Sequence, residues 1–532
     1  MRYQKIILIG VSFLMVLLHS YFLTPNYDDG FNAYFINNTI DFKNPFFSDY
    51  FDTKFVAQKI PVLIMALGFT YFFPFSFAFP AALNGVLSIL CSFLSYKIVR
   101  LRSNFVTSLL CSQLFLYSLL THHWVSPTRF ELWLMPVILS VIYLLELYKS
   151  THKIKYLLWV SIFTGILGLP IHSNASILYF YISFFMLFNH SYFNKREYII
   201  FSSSLVFMSL IGLLIIFFPN PKESLDFLMR MSQEGGNRFI PSILNPDRFL
   251  YFFRNVYYKY LTGFFVLYTM IWSIENRCNL KKVIQQAYSK YTNIWLYGIS
   301  VFITIELLPA AGWSIYLVYY LFPLAFIASK IQYSLSISNK GKLLLFSIII
   351  LFICRFLIVR FVAQDLFQTN NLFKLFIFYF PIVVFPLIIH RRKFLFLYVI
   401  IVLSLSLKIS HLYADWKVYN EVMNFYHKNP EQPIISTAEF NWIDRSNSPY
   451  SFAPFVKDIP VNQLDNGLVI YGDTEKSRSY PTKSLLDNCT NCSYWPTGNI
   501  ISSSFNVFVS DKFKGLKVYK YSGTDVITSA FR

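Results

Sequence analysis

Charge is scarce in this chain. Only 14% of its 532 residues are Asp, Glu, Lys or Arg, while 55% are hydrophobic and the mean hydropathy is +0.47. A water-soluble protein of this size cannot hide that much apolar surface, so lipid must be part of its solvent. Acids are the scarcer sign: 27 Asp and Glu stand against 46 Lys and Arg, a formal charge of +19. Such an excess invites a nucleic-acid partner, yet the chain lacks a single basic face. Its Lys and Arg fall in short clusters between apolar runs, as cytoplasmic loops of membrane proteins do, and no nucleic-acid partner is expected. Cysteine is sparse as well. Cys91, Cys111, Cys278 and Cys354 stand alone in or beside apolar runs and read as small hydrophobes. Cys489 and Cys492 form one C-x-x-C, too few thiols for a zinc site; a local disulfide is the expected use if they lie outside the cytoplasm. No small-residue cleavage site follows the first apolar run, so Met1–Lys5 and the run to Leu23 read as a first transmembrane helix that starts in the cytoplasm. No internal repeat is evident.

What the chain has in abundance is aromatic and apolar sequence. Aromatics make up 20%, with 59 Phe and 38 Tyr. A crossing needs about 20 apolar residues. Runs near that length lie at 6–24, 79–97, 104–121, 131–148, 156–172, 175–190, 198–218, 259–275, 293–309, 314–329, 343–361, 372–390 and 394–411. These predict an all-α polytopic membrane protein of about thirteen transmembrane helices. Trp313, Tyr316, Tyr319 and Tyr320 read as an interface belt.

One apolar piece, Ile60–Phe73, is left over, and charge parity decides its place. If it lies flat or half-inserted, every alternate loop is basic: Lys97, Arg100 and Arg102; Lys149, Lys153 and Lys155; Lys195 and Arg196; Arg277, Lys281, Lys282 and Lys290; Lys330, Lys340 and Lys342; Arg391, Arg392 and Lys393. If it crossed, all of these would lie outside, against the positive-inside rule. The first outer loop then runs from Pro25 to Ala78, long enough to be functional. The same parity places 121–131, the turn at His172, 219–258, 361–371 and the tail outside. The tail, 412–532, is rich in Asn, Ser, Asp and Pro and carries β-type runs at Leu468–Tyr471, Asn506–Val509 and Leu516–Tyr519. The division expected is a membrane domain over 1–411 and a small extracytoplasmic α/β domain over 412–532.

The outer segments hold the chemistry-bearing residues. Asp28 and Asp29 come after the first span in Tyr27-Asp28-Asp29-Gly30-Phe31. Asp-Asp-Gly by itself is also ordinary turn chemistry, but adjacent carboxylates at a membrane surface are costly and ask for a reason. The second outer loop carries His122, His123, Arg129 and Glu131, and an Arg–Glu pair capping a helix is its plainer reading. Leu169-Pro170-Ile171-His172-Ser173-Asn174 ends the fifth span, Gln233–Arg238 pairs two glycines with an Arg as a lid would, and Arg355 and Arg360 lie in the outer half of a late span, where Glu306 is a potential partner.

The stretch Tyr27-Asp28-Asp29-Gly30-Phe31-Asn32-Ala33-Tyr34, with Lys59-Ile60-Pro61-Val62-Leu63 after it, resembles the GT-C superfamily of integral-membrane glycosyltransferases, on the side of protein mannosyltransferases and aminoarabinose transferases. The resemblance covers about 1–411 and is clearest in the first third. It implies an enzyme that moves a sugar from a polyprenyl-phosphate donor to an extracytoplasmic acceptor, whether glycan, lipid or protein, with inversion. It implies Asp28 as general base for the acceptor hydroxyl and Asp29 as loop-orienting residue or ligand of an optional divalent cation, Mg or Mn. Glu131 would be a second acid or metal ligand. Arg129, His172, Arg238, Arg355 and Arg360 would bind phosphate or acceptor. A bacterial inner membrane is the expected location, with site and C-terminus outside the cytoplasm. The alternatives are a lipid-linked glycan transporter or flippase, a polysaccharide polymerase or ligase, and a scaffold without catalysis; a transporter would carry Gly/Pro-broken polar helices at the midplane and related halves.

Overall fold

The computed structural model describes residues 2–25, 59–73, 76–121, 131–217, 292–307, 318–334, 409–424 except 422, and four strands after residue 433. Apolar runs of helical length form helices wherever the chain is described. They are α1 (Arg2–Tyr21), α2 (Lys59–Tyr71), α3 (Ala78–Arg100), α4 (Phe105–Thr121), α5 (Glu131–Thr151), α6 (Lys155–Ile171), α7 (Ser176–Phe188), α8 (Lys195–Phe217), α9 (292–307), α10 (Leu321–Ser334) and α11 (409–421). Among them α3, α5 and α8 are long and apolar enough to cross a membrane. The expected spans at 259–275, 343–361 and 372–390, and most of 394–411, lie outside the described residues.

The helices pack as neighbours in chain order, α3 against α4, α5 and α1, α5 against α6, and α6 against α8, while α10 closes on α4. Their shared core is aromatic and aliphatic; Phe115, Tyr148, Tyr181, Phe185, Tyr297, Tyr319 and Phe322 are fully buried. Tyr319 corrects the expectation of an interface belt. It lies in the core, its carbonyl accepting a hydrogen bond from the Tyr297 hydroxyl at 2.8 Å, because its helix faces α9 rather than the bilayer rim. Cys91 and Cys111 are buried free thiols, as their isolation suggested.

α2 is too short to cross. Its 13 residues span about 20 Å at 1.5 Å each, against about 30 Å of hydrocarbon. Pro61 sits in its first turn, where a missing N–H costs nothing. Val62 and Met65 are buried on one side, while Ile64 on another is 40% exposed. The chain leaves it through exposed Tyr71, Phe72 and Phe73, and Phe73 stacks on Phe79 at the start of α3 with centroids 4.5 Å apart.

α8 meets α6 backbone to backbone. A Cβ on Gly212 would lie 2.0 Å from the Gly165 carbonyl oxygen, and one on Gly165 would lie 2.4 Å from the Met208 carbonyl carbon. Only glycine permits that approach, and the Tyr179 hydroxyl bridges to Ser209 at 2.6 Å beside it. Gly212→Leu is therefore expected to lower the detergent-solubilised melting temperature sharply. Gly10→Leu, at a position with nothing within 4 Å, should leave it unchanged.

One end of the bundle is stitched by polar contacts. Arg102, after α3, pairs with Glu146 of α5 at 3.1 Å, and Asn293 of α9 donates to the other Glu146 oxygen at 2.7 Å. Lys149 donates to Asn189 at 2.8 Å, and the Tyr148 hydroxyl lies 3.1 Å from Glu197. Asn194 and Glu197 cap α8 reciprocally, each side chain accepting the other's backbone N–H at 2.8 and 3.1 Å. Alternate helix ends, those flanked by Lys and Arg, meet here. The opposite ends, at Pro25, Phe73, Glu131 and His172, form the other face.

Among the described residues of the tail, four strands form one mixed sheet in the order β1 (Ile434–Ile435), β2 (Asn466–Gly472), β4 (Leu516–Ser522), β3 (Ser493–Trp495). β1 and β2 run parallel, with Ile434 opposite Leu468; β2 and β4 are antiparallel, with Val469 opposite Tyr519. Two of the expected β runs fall inside β2 and β4, and Asn506–Val509 lies outside the described residues. Helical structure runs through 409–421, across the position chosen for the domain division. α11 packs on the end of α1: Trp416 lies 5.3 Å from Phe22 and 5.5 Å from Tyr21, and Tyr413 lies 5.2 Å from Phe22.

Candidate functional site

The site grows from two helix ends. α5 begins at Glu131, whose carboxylate stands in the first turn, where the helix dipole favours negative charge. α6 ends differently. Its helix widens into a π turn at Phe163–Gly168, tightens through Leu169–Ile171 and stops at His172, which is extended at φ −158°, ψ 146°. A π turn inserts a residue into the helical register and so re-aims the chain beyond it. The side chain re-aimed here is that of His172, 4% exposed, with its Nε2 3.8 Å from Glu131 Oε1. α2 packs on Leu169–Ile171, so the surface helix next after the acidic loop lies beside this turn.

The imidazole is held in one state. The backbone N–H of Asn174 donates to His172 Nδ1 at 3.0 Å. A backbone amide is always a donor, so Nδ1 carries no proton and the neutral ring bears its hydrogen on Nε2, the atom facing Glu131. At 3.8 Å the two groups attract without a direct hydrogen bond. His172 lies in the connection between α6 and α7. Burial pushes its proton affinity below the ordinary imidazole value, and the Glu131 carboxylate offsets part of that.

The shift has a consequence for stability. An unfolded chain takes up a proton on this histidine as pH falls below about 6.5, whereas the buried ring resists it. The contribution is therefore complete above that pH and is lost as pH drops through the lower folded value. The melting temperature is expected to fall more between pH 7 and pH 5 for the wild type than for His172→Asn, whose amide oxygen can still accept the Asn174 N–H. Equal slopes in a thermal scan would remove His172 as the source.

Of the sequence-predicted site residues, Glu131 and His172 are the two that lie within the described residues, and the structure brings them together although they belong to different helix ends. Asp28, Asp29, Arg129, Arg238, Arg355 and Arg360 lie outside the described residues, as do His122 and His123. Among the described residues no group of three or more His, Cys, Asp or Glu is placed to hold a metal ion. Glu131 offers the hard oxygen donor that Mg or Mn prefers, while His172 does not suit a metal, because its unprotonated nitrogen is already bound to a backbone N–H. Asn174 was missed by sequence reasoning. It is 9% exposed, and its Nδ2 has no hydrogen-bond partner. Its place two residues after a helix-ending histidine was the one available signal.

No protein-family profile and no curated protein sequence matches this chain. Solved structures do match it in shape. The crystal structure of ArnT from Cupriavidus metallidurans bound to undecaprenyl phosphate superposes with a TM-score of 0.59 at 10% identity, covering 97% of this chain and 98% of that one. The apo structure of the same protein gives 0.58 at 10% identity, covering 98% of each. Nearly end to end, the chain has the GT-C fold of ArnT, the superfamily that the residues around Asp28 resemble in sequence.

Proposed function

We propose that this protein is a membrane glycosyltransferase that takes a sugar from a polyprenyl-phosphate donor and passes it to an acceptor on the extracytoplasmic side. The observation that carries this reading is the fold match over 97% of the chain to an ArnT structure that contains undecaprenyl phosphate. The outer-end convergence of Glu131 and His172, beside α2 and one loop away from Asp28 and Asp29, supports it.

The chemistry is set by the partners. A polyprenyl phosphate is already a good leaving group, so the demanding half of the reaction is the nucleophile. Asp28 takes the proton from the acceptor hydroxyl as its oxygen attacks the anomeric carbon; the C–O bond to phosphate breaks, and the configuration inverts. Asp29 orients the loop and, with Glu131, is the pair suited to hold Mg or Mn; such an ion would keep neighbouring carboxylates ionised. Arg129, Arg238, Arg355 and Arg360 are assigned to the donor phosphate, on which a guanidinium makes two hydrogen bonds. The site and the tail lie outside the cytoplasm of a bacterial inner membrane, with the tail as a small α/β domain.

The test is turnover. Purified protein in nanodiscs is given radiolabelled undecaprenyl-phosphate sugars and an envelope glycan extract. Release of undecaprenyl phosphate together with labelled acceptor is the expected result. Donor that crosses the bilayer unaltered would support a flippase, and consumption of pyrophosphate-linked oligosaccharide alone would support a polymerase or ligase.

A further inference from the structure

We propose that the turn His172–Ala175 and the facing carboxylate of Glu131 form a subsite for sugar hydroxyls, with Asn174 as a residue that determines specificity. The inference rests on the glycosyltransferase reading and names what this corner of the site takes.

Three groups carry it. Glu131 is an acceptor. His172 presents Nε2–H toward it, because Asn174 N–H holds Nδ1. The 3.8 Å between Nε2 and Oε1 is too long for a direct bond, and it suits one oxygen atom about 2.8 Å from both. That oxygen must accept from His172 and donate to Glu131, which a hydroxyl does and a phosphate oxygen does not. The third group is the Asn174 side chain. Its Nδ2 is buried without a hydrogen-bond partner, a state that buried amides rarely keep, and it belongs to the same turn as the imidazole. A carboxylate with two N–H donors is the complement of adjacent hydroxyls, each of which gives one proton and accepts another. The same carboxylate repels phosphate, so the lipid-phosphate end of the donor belongs elsewhere. Sugar hydroxyls come either from the donor or from an acceptor glycan, and the subsite chemistry is common to both.

The test uses the full-length protein in nanodiscs and two near-isosteric variants, Asn174→Asp, which removes the Nδ2 donor, and Glu131→Gln, which removes the charge. In one arm, binding is measured for undecaprenyl phosphate and for the same lipid phosphate bearing glucose, mannose or galactose. In the other, transfer from saturating donor is measured against the concentration of envelope glycan extract. About a tenfold loss of affinity for the preferred sugar-bearing lipid, with sugar-free undecaprenyl phosphate within about twofold of wild type, assigns the subsite to the donor sugar. An equal rise in the acceptor KM alone assigns it to the acceptor; both results support the proposal. Unchanged behaviour in both arms, or an equal loss for the sugar-free lipid, overturns it. So does a melting-temperature drop that accounts for the loss. Wild type that transfers no sugar sinks the transferase reading itself, whereas wild type that transfers alongside unaffected variants sinks only the subsite.

Discussion

The Asp28→Asn variant is expected to lose sugar transfer almost completely, with kcat down by about 10²–10⁴-fold. Asparagine matches aspartate in size and can still anchor the loop, but its amide cannot take a proton at neutral pH. Only the transition state needs that transfer, so kcat should fall while the donor KM stays near wild type. Asp29→Asn should cost less, because a neighbouring group that orients a loop or holds a cation acts through position. The measurement is single-turnover release of undecaprenyl phosphate from a labelled donor, with donor binding as the control. If the Asp28→Asn variant keeps turnover within about threefold of wild type, proton abstraction at this position is excluded and the base must be sought elsewhere, with Glu131 the first alternative.

Much of the helical framework is legible in the sequence, and the reason is solvent. A lipid-facing helix has to be apolar for a fixed length, so span ends near 79, 104, 131 and 198 could be read to within a few residues of the helices Ala78–Arg100, Phe105–Thr121, Glu131–Thr151 and Lys195–Phe217. Charge parity, which depends on the whole set of loops, removed Ile60–Phe73 from the crossings, and the 13-residue α2 is indeed too short for one. The pairing of Glu131 with His172 was legible only in part. Both residues could be named from their loops, but their 3.8 Å separation depends on a π turn in α6 that no periodicity announces. Asn174 stayed hidden because an asparagine after a helix end is ordinary capping chemistry. Tyr319 was misplaced for a related reason: an aromatic cluster near a span end fits a membrane rim and a bundle core equally, and packing against Tyr297 decides.

Glu146 was the least legible of the important residues, since one acid inside an apolar run looks like the end of a span. It is 5% exposed, and both of its oxygens are used, one by Arg102 and one by Asn293. The contact joins the turn after α3, the middle of the bundle and the start of α9, which lies 147 residues later in the chain.

Removing the cation is expected to hurt more than removing the pair. Arg102→Ala leaves a carboxylate inside the bundle with one neutral donor, and breaking a buried ion pair from one side costs about 3–5 kcal/mol. The Arg102 side chain is 34% exposed, which puts the expectation at the lower end, about 3 kcal/mol, since water can reach the vacated side. Arg102→Ala combined with Glu146→Leu removes both charges and should recover part of the loss, although Asn293 then loses its acceptor. Adding Asn293→Leu should recover more, because no buried polar group of the network is left without a partner. The experiment is a cycle of melting temperatures in one detergent, with transfer assayed on each variant. The decisive ordering places Arg102→Ala alone below the double and the double below the triple. If the single substitution is silent, Glu146 is neutral or hydrated in the native protein, and the polar end of the bundle is held by Lys149–Asn189 and Tyr148–Glu197 instead. If the triple variant is stable but transfers no sugar, this end of the bundle acts on the opposite face through the position of α9. That outcome would make an ion pair far from Asp28 part of the catalytic geometry.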